Sequence, residues 1–254
     1  FPLLRKIKNI WNFNPRELDF SIPLRKPPQL AGVHQLQTGD ILLKQSTIDN
    51  KHDALSVPII IAQYQFNDLH PYIGASLLTH AAIYVGGGQV LEAVGPGVVP
   101  SSLKSFNQNA NAHYAHYNWY VIRSKHPGIA QAAARAALEL ATKNKGQKIK
   151  IKYAYKKLAG NTLLRAIKGE SIANYLTADT TNAFHKDFMK GKEVTLFCSE
   201  LVVYCYHRAA DGVKRKRFFR GIRQDQISPE QLYVLARQDK ENFVYVGELH
   251  KGVR

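Results

Sequence analysis

The sequence predicts an α+β fold in which an antiparallel sheet packs against a central helix that starts at Cys198. Three observations carry this. Two apolar runs, His80 to Val85 and Gln89 to Val94, flank Gly86, Gly87 and Gly88, and glycine supplies the positive φ angles that a hairpin turn demands. The run from Cys198 to Ala209 is apolar all round a helical wheel, the mark of a buried helix. Asn118 to Arg123 reads as another strand, followed by an alanine-rich helix from about Pro127 to Lys143 with proline in its first turn.

The remaining elements follow in chain order. Residues 1–30 hold five of the eleven prolines and end in Arg25-Lys26-Pro27-Pro28, so they read as an N-terminal arm, extended or partly helical, wrapped on the rest. Residues 31–254 are long enough and apolar enough, at 45% hydrophobic content over the chain, to share one core as a single domain. Thr38-Gly39-Asp40 turns into a buried strand at Ile41 to Leu43. A largely helical insertion is expected at about 45–78, which contains Pro58 and Pro71. Residues 144–194 are polar, basic and weakly periodic, and a second insertion at about 156–194 reads as a lid with short helices near 158–168 and 180–190. Ser228-Pro229-Glu230 caps a short helix, and Phe243 to Val246 forms the last strand.

Composition narrows the function classes. The longest apolar run, Val57 to Ala62, is far short of the roughly 20 residues that cross a bilayer. Cys198 and Cys205 sit seven residues apart on one predicted helix, about 10 Å along its axis and too far for a disulfide. Both are expected as thiols, which excludes a disulfide scaffold and a four-cysteine zinc site. Lys and Arg outnumber Asp and Glu by 35 to 19, a formal charge of +16, which draws the protein toward an anionic membrane or cell-wall surface. An exported or membrane-associated setting is the corresponding expectation. The densest basic cluster, Lys214 to Arg220, includes Phe218 and Phe219, and reads as a solvated loop ahead of a binding site. No nucleic-acid motif surrounds it, so no specific nucleic-acid partner is expected.

Chemistry concentrates in three residues. A cysteine that opens a helix meets unpaired N–H groups and the positive end of the helix dipole, which favour the nucleophilic thiolate. Cys198 is so placed, although a lone cysteine also serves as a small core hydrophobe. Cys205, deeper in the helix, reads as core. Nucleophilic cysteine chemistry needs an imidazole beside the sulfur and an acceptor on the other ring nitrogen. Among ten histidines only His80 starts an apolar strand. With a three-glycine loop, Val85 pairs with Gln89 and Ala82 with Glu92, so His80 and Glu92 become diagonal neighbours on one face; a two-residue loop would put them on opposite faces. A carboxylate inside an apolar strand needs a partner, and His80 is the partner at hand. The alternatives are a structural histidine and a solvent-facing edge glutamate. No metal-ligand motif or phosphate loop is present, so no metal or cofactor is expected.

The order Gly-Asp-Ile-Leu, then Thr79-His80-Ala81-Ala82-Ile83-Tyr84-Val85-Gly86, then Leu91-Glu92-Ala93, then Phe197-Cys198-Ser199-Glu200-Leu201-Val202 resembles the circularly permuted branch of the NlpC-like papain superfamily, the YiiX/YaeF-like cysteine amidases. The likeness runs over most of residues 38–246. It implies a permuted papain-like fold and a triad of Cys198, His80 and Glu92 that cleaves an amide, in a peptide or an N-acyl or lipid-linked compound, through a thioester. The spacing of twelve from histidine to third residue is also similar to that of the lecithin retinol acyltransferase relatives, which implies a lipid acyltransferase as the first alternative. Those relatives have a second histidine where this chain has Glu92, and Asn-Cys-Glu in place of Phe-Cys-Ser-Glu. A basic membrane- or polymer-binding module without activity is the second alternative. Tyr153-Ala154-Tyr155 stands where these relatives have Tyr-Asp, and Tyr153 is the candidate substrate-binding residue.

Overall fold

The computed structural model describes residues 28–46, 78–103, 118–145, 151–153, 187, 189–190, 192–210, 218–219 and 227–249. Strands are β1 Gln29–Leu30, β2 Ile41–Gln45, β3 Leu78–Gly86, β4 Gln89–Val94, β5 Gly97–Ser102, β6 Asn118–Ser124, β7 Ile151–Tyr153, β8 Val194–Leu196 and β9 Phe243–Leu249. Helices are α1 Pro127–Lys145, α2 Cys198–Ala210 and α3 Pro229–Gln238. Seven strands form one sheet in the order β1-β9-β6-β2-β3-β4-β5, antiparallel except for the β1–β9 pair. A parallel pair, β7 and β8, leads into α2. The chain is thus mixed α and β with a mostly antiparallel sheet, in line with the α+β reading.

The central strands are buried along most of their length because both faces of the sheet are covered. Ile41, Leu43, Ala81, Ile83, Leu91 and Ile122 share a core with Ala133, Ala137 and Leu140 of α1 and Leu201 and Val202 of α2. The alternate residues Leu42, Ala82, Tyr84, Val90 and Val121 pack against Leu30, Val33, Leu36 and Leu249. Small residues on α1 bring that helix close to the sheet and to the turn before β2. Gly39 has φ +93°, and a Cβ there would lie 2.4 Å from the Ala130 carbonyl oxygen. Tyr206 of α2 donates its hydroxyl proton to the Gly39 carbonyl at 2.5 Å. Asp40, 1% exposed, accepts two bonds from the Arg123 guanidinium of β6 at 2.8 and 2.7 Å. Gly39 and Asp40 therefore lock the start of β2 to α1, α2 and β6.

Element bounds depart from the sequence expectation mainly by extension. The alanine helix runs to Lys145 and the last strand to Leu249. Ser228 caps α3 with a full capping box, its hydroxyl accepting from Gln231 N–H while the Gln231 side chain accepts from Ser228 N–H. The end of the expected arm, Gln29–Leu30, joins the sheet edge beside Glu248 and Leu249. Most of the arm, most of the insertions at 45–78 and 156–194, and the expected helix at 158–168 lie outside the described residues.

The hairpin differs in a way that matters. Gly86 pairs with Gln89, so the turn is Gly87-Gly88 and spans two residues, not three. The register then shifts between Tyr84 and Gly86, leaving Val85 as an extra residue on β3. This β-bulge restores the parity that a two-residue turn would have inverted, and Ala82 faces Glu92 as expected.

Candidate active site

His80 and Glu92 are held by adjacent strands. Ala82 and Glu92 are direct partners, so the histidine two residues along β3 is the diagonal neighbour of the glutamate on the same face. His80 Nε2 lies 2.6 Å from Glu92 Oε2. Glu92 is fully buried and His80 is 9% exposed, so the contact is shielded from solvent. A second register shift sits beside the histidine: Lys44 pairs with His80 but Gln45 with Leu78, which makes Thr79 the extra residue. The hydroxyls of Thr79 and Ser46 bond to each other at this point.

Cys198 is the first residue of α2 and is fully buried. Its place is fixed by its neighbours. Phe197 is the N-cap, its carbonyl accepting from Leu201 N–H at 3.0 Å, and Glu200 reaches back to accept from Phe197 N–H at 3.4 Å. Ser199 donates to the Ile227 carbonyl at 2.6 Å and ties the helix start to the segment before α3. The Cys198 side chain is hydrogen-bonded to the His80 ring. The expected group of Cys198, His80 and Glu92 is thus brought together, sulfur to imidazole to carboxylate.

Electrostatics follow from that order. Burial pulls the His80 pKa down, but the negative charge and hydrogen bond of Cys198, joined by those of Glu92, more than offset it, and the value rises from 6.5 to about 9. Its two neighbours therefore favour the protonated form of the ring. Cys205, seven residues on, has the opposite setting: burial drives its thiol pKa far up, so it stays protonated as a core residue.

Tyr153 is placed by its backbone, which pairs with Leu196 two residues before Cys198; its side chain lies outside the described residues. The two rings of the basic cluster are not at the surface. Phe218 and Phe219 are 0% and 2% exposed and pack on Tyr206 and Phe243. They anchor the cluster to the core, while the cluster's lysines and arginines lie outside the described residues.

One site residue was not expected from sequence. Ser101 of β5 donates its hydroxyl proton to Glu92 Oε1. The signal for it was the turn at Gly95-Pro96. Once Val94 pairs with Gly97 across that turn, Glu92 faces Val99 and Ser101 faces Val90, which puts Ser101 diagonal to Glu92 on the same face. The strand beyond that turn, β5, is what carries Ser101 to the site. Among the described residues, no group of three or more His, Cys, Asp and Glu side chains is arranged to hold a metal ion, and no helix is long and apolar enough to cross a membrane. No family model, curated protein or solved structure matches the chain.

Proposed function

We propose that the protein is a cysteine hydrolase that cleaves an amide through a thioester, with Cys198 as nucleophile, His80 as the proton carrier and Glu92 as the group that orients the ring. The observation that carries this is the His80 imidazole, bonded at once to the Cys198 side chain and to Glu92. A core cysteine does not need an imidazole beside it, and the order of sulfur, imidazole and carboxylate is the one that nucleophilic cysteine chemistry uses.

In this reading the Cys198 proton resides on His80, and the thiolate attacks the carbonyl carbon of the substrate to form a C–S bond. The oxyanion that develops meets the N–H groups at the start of α2, Cys198 N–H among them, since the first turn of a helix has donors without intrahelical acceptors. His80 gives its proton to the leaving nitrogen as the C–N bond breaks. Water then attacks the thioester, His80 takes one of its protons, and the C–S bond breaks to release the acid. Glu92 keeps Nε2 protonated throughout, so that Nδ1 alone exchanges protons with sulfur and substrate.

The order of parts supports a circularly permuted papain-like fold: the histidine strand precedes the cysteine helix, and both meet across an antiparallel sheet. The formal charge of +16 supports work at an anionic membrane or cell-wall surface. The test is an activated ester such as p-nitrophenyl acetate. Acylation of Cys198 by a hydroxylamine-sensitive bond, lost in Cys198→Ala, supports the reading, and acylation elsewhere refutes it. Adding a primary amine then separates hydrolysis from acyl transfer, since a transferase yields the amide in place of the free acid.

A further inference from the structure

Glu92 is a buried carboxylate whose two oxygens do different things. Oε2 meets His80 Nε2 at 2.6 Å, and Oε1 accepts the proton of Ser101 Oγ. Ser101 is 6% exposed and its backbone is held in register by the β4–β5 ladder, opposite Val90. A hydroxyl on a buried strand position needs a partner, and here the strand aims it at one carboxylate oxygen. A carboxylate held at one oxygen only can swing about its last bond; held at both, it cannot.

We infer that Ser101 is a positioning residue for the candidate reaction, a clamp that fixes the Glu92 carboxylate so that its other oxygen stays on His80 and the ring keeps its Nδ1 edge on the Cys198 sulfur. The inference rests on the function proposed above and extends it to a fourth residue on a third strand. Ser101 touches neither sulfur nor substrate, and acts through Glu92.

The experiment is iodoacetamide alkylation of Cys198 across the acid-to-alkaline range, resolved from Cys205 by peptide mass spectrometry, with thermal unfolding of every variant measured beside it. Ser101→Ala is expected to lower the alkylation rate at neutral pH about tenfold, the scale of one hydrogen bond to a charged group, while the alkaline rate stays as in wild type. Ser101→Thr, which keeps the hydroxyl, restores the neutral rate. In Glu92→Gln the carboxylate that Ser101 holds is already gone, so adding Ser101→Ala to it brings no further loss. A Ser101→Ala profile that overlays wild type, or losses that multiply in the double variant, overturns the inference. His80→Ala in the same assay keeps the two levels apart. If it lowers the neutral rate while Ser101→Ala leaves that rate as in wild type, only the clamp fails; if it changes nothing, the proposed chemistry fails and the clamp with it.

Discussion

Ala82 and Glu92 face each other across β3 and β4 although the hairpin between them closes over only Gly87 and Gly88. The extra residue at Val85 makes the arithmetic work. Deleting Val85 should leave a hairpin but shift its register by one residue, which turns His80 away from Glu92. The expected outcome is loss of neutral-pH alkylation of Cys198 with the far-ultraviolet circular dichroism retained. Wild-type reactivity in the deletion would show that the bulge does not set the pair.

Glu92→Gln removes the negative charge that faces the imidazolium but keeps an oxygen near Nε2. Acylation by an activated ester should slow by about ten- to a hundredfold, the worth of a hydrogen bond to a charged group, without being abolished. An unchanged rate would mark Glu92 as structural.

Ring-nitrogen resonances of His80 test the electrostatics. With its pKa raised to about 9, the ring should carry both protons at pH 7 and lose one only near pH 9. A raised folded value also fixes the sign of the linkage. His80's own contribution to stability is complete below 6.5, its ordinary value, and is lost as the pH climbs through about 9. Titration at or below 6.5 would contradict the three-group contact.

Two substitutions probe the frame around the site. Asp40→Ala leaves the Arg123 guanidinium, on a side chain 20% exposed, without its carboxylate, and should cost about 3 kcal/mol in chemical denaturation. Gly39→Ala adds a Cβ 2.4 Å from the Ala130 carbonyl oxygen at φ +93°, so the loss should exceed the about 1 kcal/mol of the backbone conformation alone. Losses within a few tenths of a kcal/mol would show that the β2 entry tolerates movement away from α1.

The parts of the fold legible in the sequence are those where local chemistry and tertiary packing agree. Glycines bounding apolar runs gave away β3 and β4, and the capping residues of α3 named its start. What escaped is explained by edges and short parallel pairs. β5 contains Pro100, a residue that argues against a central strand but is admissible at the edge, where β5 lies. β1, β7 and β8 are two or three residues long, and each exists only because a distant segment pairs with it. Losing β5 from view also hid Ser101. The His80–Glu92 relationship was legible because period-two geometry is strict, but the reason given for it was incomplete, since no sequence signal near Val85 announces a bulge.

The most direct measurement is the rate at which iodoacetamide alkylates Cys198 at pH 7 in wild type and in His80→Ala. If sulfur, ring and carboxylate act together, the wild-type thiolate reacts quickly and the variant at least about tenfold more slowly. Equal rates in the two proteins would mean that the imidazole does not activate the sulfur.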